Sequence, residues 1–267
     1  MIICLASYPK SGNTWVRLFL DSYFNLIGKK IFSQSFPNKD LYKKFKINYS
    51  NFGEIIENWE SMQNYLNLKS QTNYFKTHNA LCTINNHKFT DKKNTLGAIY
   101  IVRDPRDVLI SYANHLGQNH QKILRLLLNK HNGETDVIEG KEFRRTLMGR
   151  WSDHYNSWKS YKEREVLIVK YEDLVKNTKK EFLRILNYLN KIDGIKIDIN
   201  MLNKSIEETS FDKLAKKEKK FGFEEASKFG VFFRKGIVGD WKNNLDISIS
   251  KILEKEFVSE MKELDYI

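Results

Sequence analysis

The segment Ala6–Trp15, ASYPKSGNTW, concentrates groups that bind anions. It separates the apolar run Ile2–Leu5 from a helix-like stretch that begins VRLFLDSYF. At such a strand-to-helix turn, successive backbone N–H groups point inward as a nest, and the helix N-terminus adds positive potential. Laid over the phosphate-loop pattern Gly-x-x-x-x-Gly-Lys-[Ser/Thr], Ser7 takes the first glycine position, Gly12 the second and Thr14 the hydroxyl position. Asn13 stands where the lysine belongs, and a lysine appears inside the loop instead, at Lys10. Gly12 lets the backbone approach a ligand closely. Ser11 and Thr14 bring hydroxyl donors, and Lys10 a mobile charge.

Three further groupings could do chemistry. Lys76-Thr77-His78 closes an apolar run, and a histidine that titrates near neutrality can accept a proton at cytoplasmic pH. Arg103 follows another apolar run, with Ser111 about two helical turns further on. A guanidinium grips phosphate bidentately, and a hydroxyl adds a donor. In RKGIVGDW, Arg234–Trp241, two glycines and two cations suit backbone approach to an anion. His115, His120, His131 and His154 read as surface residues, and none forms a metal set with the cysteines.

These groups need a scaffold. Candidate strands are Ile2–Ala6, Asn73–Lys76, Ala98–Val102 and Val166–Lys170. After the first, Val16, Phe19, Leu20, Tyr23, Phe24 and Ile27 recur at three- and four-residue intervals, one face of an amphipathic helix. Asp104 as N-cap, Pro105 at the first helical position and Asp107 in the first turn predict a helix start directly after Arg103. Residues 142–165 and 173–191 read as helices on either side of the strand VLIVKY. Strands alternating with helices predict an α/β fold: a single domain over residues 1–267, with a mostly parallel central sheet flanked by helices and a P-loop-like nucleotide-binding architecture. Residues 117–140 and 212–232 read as mobile loops or lids between core elements.

Composition bounds the partners. The chain has 267 residues, 41% hydrophobic and 29% charged, enough for one well-buried core and unlike a disordered sequence. No apolar run reaches the roughly 20 residues of a membrane span, and the N-terminal run is read as a core strand rather than a leader. Cys4 and Cys82 suggest no disulfide framework, so a cytoplasmic setting is expected. A net charge of +12 attracts polyanions of any kind. The lysines between Lys213 and Lys220 are interrupted by Glu218 and read as a solvated face, and no nucleic-acid-binding motif accompanies them.

YPKSGNTW resembles the 5′-phosphosulfate loop of the sulfotransferases that use 3′-phosphoadenosine 5′-phosphosulfate (PAPS), with Asn13 where that family carries threonine. The resemblance extends, in the family's order, to Lys76-Thr77-His78, to Arg103 with Ser111, and to the long and uncommon RKGIVGDW string, from about Ile3 to Asn243. It implies the following roles. Lys10, Ser11, Gly12, Asn13 and Thr14 hold the 5′ end of PAPS. Trp15, Tyr171, Thr209 and Phe211 surround the adenine. Arg103, Ser111, Arg234, Lys235 and Gly236 clamp the 3′-phosphate. His78 is the base, and Lys10 and Lys76 balance charge at the reacting centre. A sulfuryl group carries less charge than a terminal phosphate and needs no metal bridge, so Lys10 is placed to serve the leaving phosphate. The implied reaction is direct in-line transfer to a hydroxyl or amine of a small or amphipathic acceptor, with pocket walls from Phe36–Trp59 and residues 117–140.

Other readings compete. A P-loop NTPase or kinase needs Mg²⁺ and the usual lysine. A basic nucleic-acid-binding protein shows steep salt dependence. A sulfotransferase-like chain without activity conflicts with the presence of both His78 and Lys10. Many cytosolic family members pair through Lys-x-x-x-Thr-Val-x-x-x-Glu; here that frame reads Lys242, Asp246, Ile247 and Lys251, so the family-style dimer is not expected.

Overall fold

The computed structural model describes residues 1–28, 33–48, 50–68, 71–138 and 141–267. Five strands, β1 (Ile2–Ser7), β2 (Ser33–Ser35), β3 (Asn73–Thr77), β4 (Thr95–Val102) and β5 (Val166–Lys170), form one sheet in the order β2-β3-β1-β4-β5. Every pairing in it is parallel. Two short antiparallel hairpins, Thr83–Ile84 with His87–Lys88 and Thr135–Ile138 with Lys141–Arg144, stand apart from it.

Side chains alternate across the sheet and are buried on both faces, as helices on each side demand. Ile3 and Leu5 of β1, with Ile99 and Ile101 of β4, pack under α1 (Asn13–Leu26) and the later helices α5 (Thr178–Asp193) and α6 (Ile199–Glu208). Val16, Phe19, Leu20, Tyr23 and Phe24 supply the buried stripe of α1. Cys4, Ala6, Ala98 and Tyr100 face the opposite layer. That layer contains α2 (Pro105–Leu116) and α3 (Trp151–Lys159). The fold is therefore a single α/β domain around a parallel sheet.

The register positions the site. Ala6 lies beside Thr77 on one side and Tyr100 on the other, and Val102 lies beside Lys170. The residues leaving β1, β3, β4 and β5 thus emerge on one rim: the Tyr8–Gly12 turn, His78, Arg103 and Tyr171. The chain leaves β1 for β3 on one side and later returns to β4 on the other, which opens a crevice at the switch point.

Several sequence expectations need correction. Residues 142–165 do not form one helix. Gly149 is left-handed (φ 68) and Arg150 extended, so α3 begins only at Trp151, and the segment starts as a strand. Residues 173–191 are split at Asn177, whose backbone leaves the helical region, into α4 (Tyr171–Lys176) and α5. The expected loops carry structure: His120–Leu128 is a helix capped by Asn119, and α7 spans Phe211–Phe221. The lysine-rich face of α7 is exposed at Lys216, Lys217, Lys219 and Lys220. Glu218, on its inner side, is buried and accepts the N–H groups of Phe232 (2.6 Å) and Phe233 (2.8 Å).

Candidate active site

A cleft of about 1360 Å³ opens at the strand ends. Of the residues implied for donor binding and catalysis, all but Ser11 and Thr209 line it. Its size exceeds the range for one small ligand and suits a nucleotide with a second substrate.

The loop after β1 turns sharply. Lys10 has φ 66 and Gly12, the residue before α1, φ 105. A Cβ on Gly12 would come within 2.6 Å of the Tyr171 ring, so this position admits only glycine on both counts. The Asn13 amide turns away from the cleft and donates to the Leu5 carbonyl (2.8 Å) and Ser7 Oγ (3.3 Å). Its side-chain donor is thus spent inside the protein, which leaves the backbone N–H for an anion. Ser11 Oγ is buried with no partner among the described residues. An unmet donor beside a nest of N–H groups fits an anionic ligand.

Arg103 is the hub. Its guanidinium donates to the Lys10 carbonyl (3.3 Å) and the Ile237 carbonyl (3.1 Å), and stacks 4.4 Å from the Tyr171 ring centre. Residues that are distant in sequence thus meet on one side chain, which is only 9% exposed. Its Nε is buried with no partner among the described residues. The RKGIVGDW turn is tied down by carboxylates: Asp107 accepts from Gly239 N (2.8 Å) and Trp241 N (3.0 Å), and Asp240 holds Arg234 (2.8 Å) and Lys235 (2.7 Å). Gly236, at φ 64, packs where a Cβ would meet the Phe211 ring at 2.3 Å.

Trp15, Tyr171 and Phe211 line the cleft, with Trp15 and Tyr171 edge-on at 6.1 Å. Thr209 lies elsewhere than expected: its hydroxyl bonds to Ser205 in its own helix, and its carbonyl accepts from Trp15 Nε1 (2.9 Å). It orients the indole from behind. Ser111 lines the cleft from α2, one element with Arg103 at its head.

His78 is buried at the end of β3, and its Nδ1–H donates to the Ser7 carbonyl at 2.6 Å. That bond fixes the tautomer and leaves the Nε2 lone pair available. Burial pushes the imidazole down to about 4, against the raising effect of Glu134 and with a further lowering by Lys76. His154 is not a surface residue. It is fully buried, accepts from Tyr100 (2.8 Å) and donates Nε2–H to the His78 carbonyl (3.2 Å). His115 is half-buried on the cleft wall.

The sulfotransferase domain family matches residues 2–265. The chain belongs to that family. Among its relatives is the Mus musculus sulfotransferase 1 family member D1, 28% identical over 269 residues that cover 98% of this chain and 83% of the relative. The Oryctolagus cuniculus amine sulfotransferase is 26% identical over 98% of this chain and 81% of its own length. Two solved structures share the fold. A mouse sulfotransferase complexed with PAP has a TM-score of 0.62 at 22% identity, covering 97% of this chain and 84% of that one. A retinol dehydratase with androsterone and PAP has a TM-score of 0.62 at 19% identity, covering 98% and 80%.

Two charged residues of this sulfotransferase site carried no motif signal. Arg17 lies one turn beyond Thr14 on α1 and so shares its face. Glu225 comes from the segment between α7 and the RKG turn and enters the cleft, where Thr14 Oγ1 (2.8 Å), Lys76 Nζ (3.3 Å) and Arg17 converge on its carboxylate. The segments expected to wall the cleft, Phe36–Trp59 and residues 117–140, do reach it, though not through Phe36 or Trp59. Phe36 and Trp59 belong to the core (5% and 0% exposed). Asn38, Lys39, Asp40, Glu134 and Arg145 stand in the wall instead, with Glu134 paired to Arg145 at 2.7 Å.

Proposed function

We propose that this sulfotransferase takes its sulfuryl group from PAPS and passes it by direct in-line displacement to a hydroxyl or amine, with His78 as the base. The observation that carries the donor assignment is Arg103. It gathers the Lys10 loop, the Tyr171 ring and the RKG turn, while its Nε has no partner among the described residues. Asp107, 3.7 Å away, balances part of its charge, and a 3′-phosphate would answer the Nε, which a nucleotide without one does not. Tyr171, Trp15 and Phe211 are positioned for the adenine, Ser111, Arg234, Lys235 and Gly236 for the 3′-phosphate beside Arg103, and Ser11, Gly12, Asn13 and Thr14 for the 5′-phosphate.

His78 holds its one proton toward Ser7 and keeps Nε2 open to the acceptor. As the acceptor oxygen closes on sulfur, its proton passes to Nε2. The S–O bond to the phosphate breaks, and the bisphosphate leaves with both bonding electrons. Lys10 and Lys76 balance the charge that grows there. Lys10 rests 3.8 Å above the Phe232 ring and is half-buried, and burial brings its ammonium down to about 8, with Glu225 opposing and Lys76 and Arg103 adding to the shift.

These two groups set a pH profile. His78 must be neutral, so activity rises as pH passes upward through about 4. Lys10 must be charged, so activity falls as pH passes upward through about 8. The dependence of kcat/KM for the donor is therefore a bell with a plateau between these limits, since kcat/KM reports the free enzyme. Replacing Lys10 by arginine, which stays protonated, removes the alkaline limb. An unchanged alkaline limb in that variant takes Lys10 out of the charge-balancing role.

The polar wall formed by Asn38, Lys39, Asp40, Glu134 and Arg145 supports a small acceptor with hydrogen-bonding groups over a wholly apolar one. Incubation with PAPS and a chemically diverse acceptor library, read by mass spectrometry, tests the reaction: one added sulfuryl group accompanies each bisphosphate released. Bisphosphate release without a sulfated product, as in hydrolysis alone, defeats the transferase reading. A cytoplasmic setting agrees with the free thiols Cys4 and Cys82.

The C-terminal frame supports a chain without the family-style dimer. Asp246 is spent as the cap of the following helix, accepting from Ser248 N (2.7 Å), and Lys251 stands exposed where an acid would close the charge pairing. Light scattering with cross-linking of residues 242–251 checks this. The expected result is no cross-link between copies through that segment, and a dimer joined there contradicts it.

A further inference from the structure

The carboxylate of Glu225 sits where three donors of the site converge. Thr14 belongs to the first turn of α1, Arg17 to the next turn, and Lys76 to β3, and all three reach the same two oxygens. Arg17 and Lys76 are only 14% and 15% exposed, so neither is a casual surface partner. Burial alone would raise the Glu225 carboxyl, yet Lys76, Arg17 and Thr14 outweigh it and hold the group down to about 2. The site therefore binds a full negative charge, and the buried Arg17 Nε there has no partner among the described residues. A single carboxylate leaves this subsite incompletely satisfied, and a larger anion with more oxygens would answer it.

The segment that delivers Glu225 is anchored at both ends. It follows Gly222, at φ 74, and ends where Glu218 grips the N–H groups of Phe232 and Phe233. Residues 228–231 between these anchors are exposed.

We propose that Arg17 joins Thr14 and Lys76 at the 5′-phosphosulfate end of the donor, and that Glu225 is a built-in carboxylate which the donor must displace. Arg17 thereby becomes a binding residue of the reaction, and the 223–231 segment a plug released by the incoming nucleotide. This rests on the PAPS reading above. A plug costs affinity in proportion to its occupancy: a closed form favoured by about ten to one weakens the apparent binding about tenfold.

Calorimetry with adenosine 3′,5′-bisphosphate and adenosine 3′-monophosphate tests this, because only the first carries a 5′ anion. Glu225→Gln binds the bisphosphate about tenfold more tightly than wild type and leaves the monophosphate within about twofold. Adding Arg17→Ala in that background weakens the bisphosphate about tenfold and again spares the monophosphate. Glu225→Ala must reproduce the gain, which guards against a folding defect in one variant. If wild type binds the bisphosphate and neither Glu225 variant gains affinity, the displacement is wrong while the donor reading stands. If wild type binds neither nucleotide, the donor reading falls and the plug with it.

Discussion

Replacing His78 by alanine lowers turnover with an alcohol acceptor by about 10²–10⁴-fold, the range of general-base catalysis, or about 2.7–5.4 kcal/mol of barrier. Binding of adenosine 3′,5′-bisphosphate stays close to wild type, because His78 bonds to the Ser7 carbonyl and takes no part in the Arg103 cluster proposed to hold the nucleotide. The imidazole is only half of the device. Its Nδ1–H is committed at 2.6 Å, and the carbonyl behind it is held by His154, so Nε2 arrives in the required tautomer without reorganisation. A phenol, partly ionised before it binds, loses less than an alcohol. Steady-state turnover with both acceptors, alongside calorimetry on the same preparation, separates the loss of a base from the loss of a fold. Wild-type turnover in His78→Ala with an alcohol removes the base assignment.

The second large effect belongs to Arg103. Loss of a hydrogen bond to a charged group costs about 1.5–3 kcal/mol, so Arg103→Ala weakens bisphosphoadenosine binding by roughly 10- to 150-fold. Arg103 also donates to the Lys10 and Ile237 carbonyls, so a purely structural role would weaken every nucleotide alike. Adenosine 5′-monophosphate supplies the control, since it lacks the 3′-phosphate and shares the adenine and 5′ contacts. Calorimetry on both ligands with both proteins is expected to confine the loss to the bisphosphate. Equal losses would make Arg103 a scaffold residue and move the clamp to Arg234 and Lys235.

What the sequence made legible follows from how local each signal was. Strand β5 was readable from its β-branched run, and β1, β3 and β4 were each read a little short of their full span. The start of α2 was written in Asp104 and Pro105, and Asp104 does accept from Arg106 N (2.9 Å). Interruptions were harder. A helix-period run continues through Gly149 and Asn177 on hydrophobicity alone, although the backbone breaks at both. Asn119 was a legible cap, passed over because residues 117–140 read as a loop.

Within the site, the motif residues were legible because their chemistry and spacing repeat a family string. The supporting carboxylates were not. Asp107 and Asp240 had signals, a first-turn acid and a motif aspartate, but their task of pinning the RKG turn depends on tertiary proximity. Glu225 is separated by more than 200 residues from Thr14 and Arg17, and no spacing announces such a contact. The same holds for Asn13 and Thr209, whose types suit a ligand but whose side chains face the protein interior.

The central claim is that this cleft is built for a 3′-phosphorylated adenosine nucleotide, and one competition experiment reaches it directly. Wild-type protein is titrated by calorimetry with adenosine 3′,5′-bisphosphate, and separately with ATP and Mg²⁺. A site whose buried cation awaits a 3′-phosphate binds the bisphosphate one to one and at least about tenfold more tightly, the worth of a single charge-assisted bond. Tighter binding of ATP with Mg²⁺ would contradict the claim and return the loop after β1 to the phosphate-loop NTPases it departs from.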